Sequence, residues 1–281
     1  EWKFVNVKNQ IWYMNDAVYK LQIELTEFKK AINRADNVVI ILNFTNGGIQ
    51  RHGWLGKKVR KFIFLNKDKL DDFQNTCADE LKDISKVALP PAVDIDRFIG
   101  MERDYYGKPI TIGRHSRISL KYPEDPTSIY WKLSKRLPNA RFMFQIAHKK
   151  IIKEFEGNKN FIFNSWNQIS VEKFLASIDI YLAIISPKVK DQGPRTLIEA
   201  MAAGLPCVVE NRDGMKERIM HGVSGFLVDS EDEAVETVAK LHKNCYLRRQ
   251  IGLNARGIAK TFRPERWIEE IEDGLPKRYG I

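Results

Sequence analysis

The chain has 281 residues, 43% hydrophobic and 29% charged, which is enough to bury a substantial core and to form two modest domains. This composition excludes a disordered tail, and no apolar run approaches the ~18 residues of a membrane-spanning helix, so a soluble or at most peripherally attached protein is expected. The formal net charge of +10 favours anionic partners without choosing among nucleic acid, acidic headgroups and a nucleoside diphosphate. Cys77, Cys207 and Cys245 are too few and too scattered for a disulfide framework or a zinc cluster, and no signal peptide is visible. A reducing, cytoplasmic setting is expected.

Short apolar runs recur along the chain: NVVIILNF (37–44), KFIFL (61–65), KVALP (86–90), ITIG (110–113), RFMFQIA (141–147), IDIYLAII (178–185), PCVV (206–209) and GFLV (225–228). Helical patterns separate them, among them residues 69–84, 125–137, 171–177, 195–204 and 214–220, and helices alone follow the last run. Strand and helix in alternation predict an α/β fold with parallel sheets covered on both faces. The stretch LPPAVDIDRFIGMERDYYGKP, residues 89–109, follows neither period and holds three prolines, so it reads as the connection between two domains. The expected division is a short N-terminal domain at 1–105, a second domain at 106–262 and a terminal helix at 263–281.

Three stretches carry residue types suited to chemistry. In DQGPRTLIEAMAAGLPCVV, residues 191–209, Gly193 and Pro194 precede a helix that opens with Arg195 and Thr196, and a helix start offers free N–H groups and partial positive charge to an anion. Asp191 stands before that start and Glu199 within the helix. Glu199 either accepts hydrogen bonds from adjacent ribose hydroxyls or is exposed or salt-bridged, and Asp191 is either a ligand contact or a cap. In GRHSRISLKYPEDP, residues 113–126, Arg114 and Lys121 either clamp a diphosphate, with Gly113 permitting close approach, or are ordinary loop cations. In FNSWNQIS, residues 163–170, Trp166 either stacks on a base or anchors the core. The pair Asp94 and Asp96 has D-x-D spacing but sits in the connector with no strand to make a rigid metal site, and no metal centre is expected.

Together these segments resemble the GT-B glycosyltransferases, and in particular the retaining glycosyltransferase family 4, also called glycosyl transferases group 1. Its E-x7-E followed by AMAxGxPVV is similar to residues 191–209, with Asp191 in place of the first Glu. Its GGxxExIxxGxxGxLV is similar to DGMKERIMHGVSGFLV, its xPNGVDxxRF connector to LPPAVDIDRF, and its G-R and Lys motif to IGRHSRISLK. The resemblance covers about residues 86–275.

It implies two Rossmann-like domains facing a cleft, the N-terminal one short or truncated, and transfer of a sugar from a nucleotide-sugar donor to a glycan, lipid-linked or other hydroxyl acceptor, with retention and without a metal or other cofactor. Glu199 would hold the ribose, Arg114 and Lys121 the diphosphate, and Asp191 the sugar. The backbone from Gln192 through Gly193, Pro194 and Arg195 to Thr196 would meet sugar or phosphate.

Acceptor binding would fall to the first domain, where His52 follows a glycine-containing loop and the basic Lys57, Lys58, Arg60 and Lys61 suit an anionic membrane surface. Nucleic acid is not an expected partner. The competing expectation is a basic polyanion-binding module that keeps this scaffold without catalysis.

Overall fold

The computed structural model describes residues 38–42, 51, 53–57, 59–107, 109–116, 121–191 and 193–273. The chain divides into two compact units, Glu1–Ala92 with Pro264–Ile281, and Val93–Arg263. Among the described residues, no helix is long and apolar enough to cross a membrane.

In the first unit β1 (Val38–Leu42), β2 (Val59–Phe64) and β3 (Ser85–Ala88) form a parallel sheet in that order. Helix α1 (Lys67–Thr76) starts at Asn66, whose side chain accepts the Lys69 N–H at 3.0 Å. Its one buried face presents Phe73, whose ring lies 4.8 Å from Phe62 and 5.1 Å from Phe64. Lys61, buried in β2, donates to the Glu270 carbonyl at 2.5 Å and to its carboxylate at 3.2 Å, the pairing that a buried ammonium requires. Glu270 belongs to the last described helix, Pro264–Asp273, whose Trp267 Nε1 donates to Pro90 O at 2.7 Å. Lys61 is therefore withdrawn from the basic surface expected around it. Lys57 and Arg60 are exposed, and Lys58 lies outside the described residues.

The second unit opens with α2 (Asp96–Ile99) and then alternates strand and helix: β4 (Thr111–His115), α3 (Ser128–Arg136), β5 (Arg141–Gln145), α4 (Lys149–Phe155), β6 (Phe161–Asn164), α5 (Val171–Ala176), β7 (Ile180–Ala183), α6 (Arg195–Ala202), β8 (Cys207–Glu210), α7 (Asp213–Lys216) and β9 (Phe226–Val228). Helices α8 (Glu231–Lys243) and α9 (Cys245–Ala259) complete it. The six strands are parallel, in the order β6-β5-β4-β7-β8-β9.

Alternate residues on β5, β7 and β8 feed two separate cores. Phe142, Phe144, Ile180, Leu182 and Val208 pack with α3, α4 and α8, while Met143, Tyr181, Ala183, Cys207 and Val209 pack with α5, α6 and α9. A sheet covered on both faces explains why its strands read as continuous apolar runs.

The unit begins at Val93 rather than at residue 106, because the connector is part of its core. Val93, Ile95 and Phe98 are buried beneath α6, and Arg103 Nε donates to Ala203 O at 3.1 Å. Arg256 Nη2 reaches the same carbonyl at 3.0 Å, and Tyr105 Oη donates to Gly204 O at 2.9 Å. Two cations thus satisfy the C-terminal, negative end of α6, fixing the helix whose other end faces the candidate site.

Candidate functional site

From β4 the chain proceeds outward to β5 and β6, then returns to place β7 on the other side of β4. The crevice beyond the C-terminal ends of β4 and β7 is therefore a topological switch point, where open parallel sheets hold ligands. Arg114 lies near the C-terminal end of β4, and Lys121, Asp191 and the start of α6 follow these strand ends.

Arg114 is 3% exposed and committed to the chain. Its Nη1 donates to Ile184 O, its Nη2 donates to Lys121 O at 3.2 Å, and its guanidinium lies 3.8 Å from the centre of the Tyr122 ring. The open fork expected for a diphosphate is thus used to tie the segment after β4 to the end of β7. Burial pushes the Tyr122 phenol well above its usual range, so its Oη stays protonated and donates to Ile146 O at 3.1 Å. This lock leaves Lys121 as the reaching cation. Its Nζ lies 2.5 Å from Asp191 Oδ2, with side-chain exposures of 30% and 8%.

Asp191 leads into α6. Gly193 has φ +100°, and a Cβ there would lie 2.9 Å from Arg218 Nε and 3.1 Å from Gly214 O, so glycine is required by both conformation and space. Pro194 caps α6 with φ −66°, Arg195 is exposed, and the buried Thr196 Oγ1 accepts from Tyr181 Oη at 3.1 Å. Glu199 is buried on the same helix. The structure therefore brings together Lys121, Asp191, Gly193, Pro194 and Thr196 around one helix start and sets Glu199 inside that helix.

Other expectations fall differently. The space spared at Gly113 is filled by Ile178, whose Cδ1 would meet a Cβ at 2.5 Å, so the glycine serves strand packing rather than a ligand's approach. Trp166 is 60% exposed in the loop after β6, which removes the core-anchor alternative. Asp96 pairs with Arg263 at 2.9 Å. His52 and Gln192 lie outside the described residues.

Three residues of this region went unassigned in the sequence: Arg212, Asp213 and Arg218. Burial pushes the Arg218 guanidinium below the usual arginine range, while the nearby Glu217 and Asp191 carboxylates oppose that shift. The signal available was the density of charge in ENRDGMKER directly after the buried strand PCVV.

Residues 147–258 match the family described as glycosyl transferases group 1. Over that segment the chain is similar to the glycosyl transferases group 1. The N-acetyl-alpha-D-glucosaminyl L-malate synthase of Bacillus anthracis is 32% identical over 108 residues, which make up 37% of this chain and 28% of that protein. A mutant of S. aureus TarM, solved in complex with fondaparinux, alpha-GlcNAc-glycerol and UDP, superposes with TM-score 0.64 at 15% identity over 85% of this chain and 50% of TarM. Anabaena HepE, solved with UDP and glucose, gives TM-score 0.64 at 17% identity over 85% of this chain and 72% of HepE. The chain thus spans about half of TarM and under a third of the synthase. The α/β fold with parallel sheets is that of the GT-B glycosyltransferases. The group 1 match contains Asp191, α6, Arg212, Asp213 and Arg218, while Arg114 and Lys121 precede it.

Proposed function

We propose that this chain transfers a sugar from a nucleoside-diphosphate donor to a hydroxyl of a glycan or lipid-linked acceptor, with retention of anomeric configuration and without a metal. The observation that carries this is the arrangement of Lys121, Asp191 and Glu199 at α6, with Asp191 and Glu199 inside the segment that matches group 1. Glu199 would accept the two ribose hydroxyls. The diphosphate would lie against Lys121 and the N–H groups of Gly193, Arg195 and Thr196, with Asp191 turned to the sugar and the exposed Trp166 offering a face to the base.

As the bond from the anomeric carbon to the diphosphate oxygen lengthens, negative charge grows on the leaving group. Lys121 and the helix start stabilise it, with the buried Arg114 guanidinium adding charge from behind. The acceptor hydroxyl bonds to the anomeric carbon on the face that the diphosphate leaves, and its proton passes to a diphosphate oxygen. No protein nucleophile takes part.

Calorimetric titration with UDP, GDP and ADP tests the binding half of this proposal. One of them is expected to bind, with affinity falling about tenfold or more in Glu199→Ala and in Lys121→Ala. Equal affinity in both variants would remove the site. Transfer that survives EDTA, with product of donor-like anomeric configuration, is the expected outcome for the chemical half. Salt-sensitive binding of heparin or nucleic acid with no nucleotide binding would favour a non-catalytic module.

A further inference from the structure

The loop that delivers Asp191 is held from behind by the side chain of Arg212, the residue before α7. Its Nη1 donates to Val189 O at 2.9 Å and to Asp213 Oδ2 at 2.8 Å, and its Nη2 donates to Ser186 O at 2.7 Å and Ile185 O at 3.3 Å. Its Nε donates to Glu210 Oε2 at 3.3 Å, and the same oxygen accepts the Ile185 N–H at 2.9 Å. At the far end of the loop, Asp213 Oδ2 accepts the Asp191 N–H at 3.2 Å, and the Gly214 N–H donates to Asp191 O at 2.9 Å. Both backbone polar groups of Asp191 and the carbonyls of Ile185, Ser186 and Val189 therefore end on residues 210–214.

The backbone at Asp213 supports a dedicated role. Its φ is +49°, in the left-handed region that favours glycine. Keeping a carboxylate there holds strained backbone in exchange for the contacts to Arg212 and Asp191. The Arg212, Glu210 and Asp213 side chains are only 26%, 21% and 22% exposed, so their charge-assisted bonds are partly shielded from water.

We propose that Arg212 and Asp213 form a strut that sets the position of Asp191, and through it the alignment of the donor's sugar. This rests on the nucleotide-sugar reading of the site. Arg212 is a positioning residue: its bonds run to the loop, and the loop presents the acid. A shift of about 1 Å in such an acid is enough to cost a large factor in rate.

The test is calorimetric titration of UDP, GDP and ADP and of UDP-glucose, GDP-mannose and ADP-glucose into wild type, Arg212→Ala, Arg212→Lys and Asp213→Gly. In Arg212→Ala the affinity for the bare diphosphate is expected to stay within about threefold of wild type, while the extra affinity contributed by the sugar falls about tenfold. Arg212→Lys is expected to recover part of it. Asp213→Gly, whose new residue suits φ +49°, is expected to fold normally and lose part of it, which keeps the test valid if Arg212→Ala does not fold. Sugar discrimination that is intact in Arg212→Ala and Asp213→Gly overturns the strut and leaves the proposed function standing. A loss of diphosphate and sugar affinity in equal proportion, with a lower melting temperature, also overturns it, since that is what general loosening produces. A wild type that binds none of the three nucleotide sugars overturns the proposed function, and the strut with it.

Discussion

Lys121 Nζ and Asp191 Oδ2 lie 2.5 Å apart, so the cation assigned to the donor's diphosphate and the acid assigned to its sugar are bonded to each other. A diphosphate that takes Lys121 must compete with Asp191 for it. Asp191→Asn is accordingly expected to raise affinity for a bare nucleoside diphosphate by about threefold to tenfold, while Lys121→Ala lowers it by at least as much. Competitive displacement of a fluorescent nucleotide reads both. Two changes of the same sign would mean that the pair does not stand in the ligand's way.

Gly113 and Ile178 make a second test, of packing rather than chemistry. A Cβ at Gly113 would lie 2.5 Å from both Ile178 Cδ1 and Cγ2, in the middle of β4. Gly113→Ala is expected to cost about 1–3 kcal/mol in urea unfolding, as overpacked cores do, and Gly113→Ala with Ile178→Ala is expected to recover part of that loss. A double variant no more stable than the sum of the two single losses would show that the two sites do not couple.

His148 predicts a pH dependence. Burial, with Lys150 and then Lys149 close by, holds its imidazole below the ordinary histidine range, and its Nδ1 accepts the Lys150 N–H at 3.2 Å as the cap of α4. Only the unprotonated nitrogen can accept. As pH falls, the unfolded chain takes up this proton first, near about 6.5, so the contribution of His148 to stability is complete above that pH and declines as pH drops towards its folded value. NMR titration of the ring and unfolding between about pH 5 and 7 check this; a folded midpoint above the ordinary value would reverse the sign.

The strands of the second unit were legible because a parallel sheet covered on both faces asks for apolar residues at every position. In RFMFQIA, Phe142 and Phe144 serve one core and Met143 the other. Helix α4 was not legible, since only Ile151 and Phe155 are buried and Lys149, Lys150, Lys153 and Glu154 make it read as loop. Residues 89–109 look like a linker by their three prolines and lack of period, yet Arg103 and Tyr105 fasten the stretch to the carbonyls ending α6 through contacts that follow no repeat. At the site, the carboxylate spacing and the helix start were visible in sequence. What Arg114 does was not, because its bonds run to the carbonyls of Ile184 and Lys121 and to the Tyr122 ring, and no residue spacing encodes them.

A crystal structure of this chain with the nucleoside diphosphate sugar it binds most tightly is the most direct measurement. The expected result has the ribose hydroxyls on Glu199, the diphosphate between Lys121 and the N–H groups that open α6, and the Lys121–Asp191 contact exchanged for donor contacts. A diphosphate bound away from α6, or a donor that leaves Glu199 untouched, would contradict the proposed site.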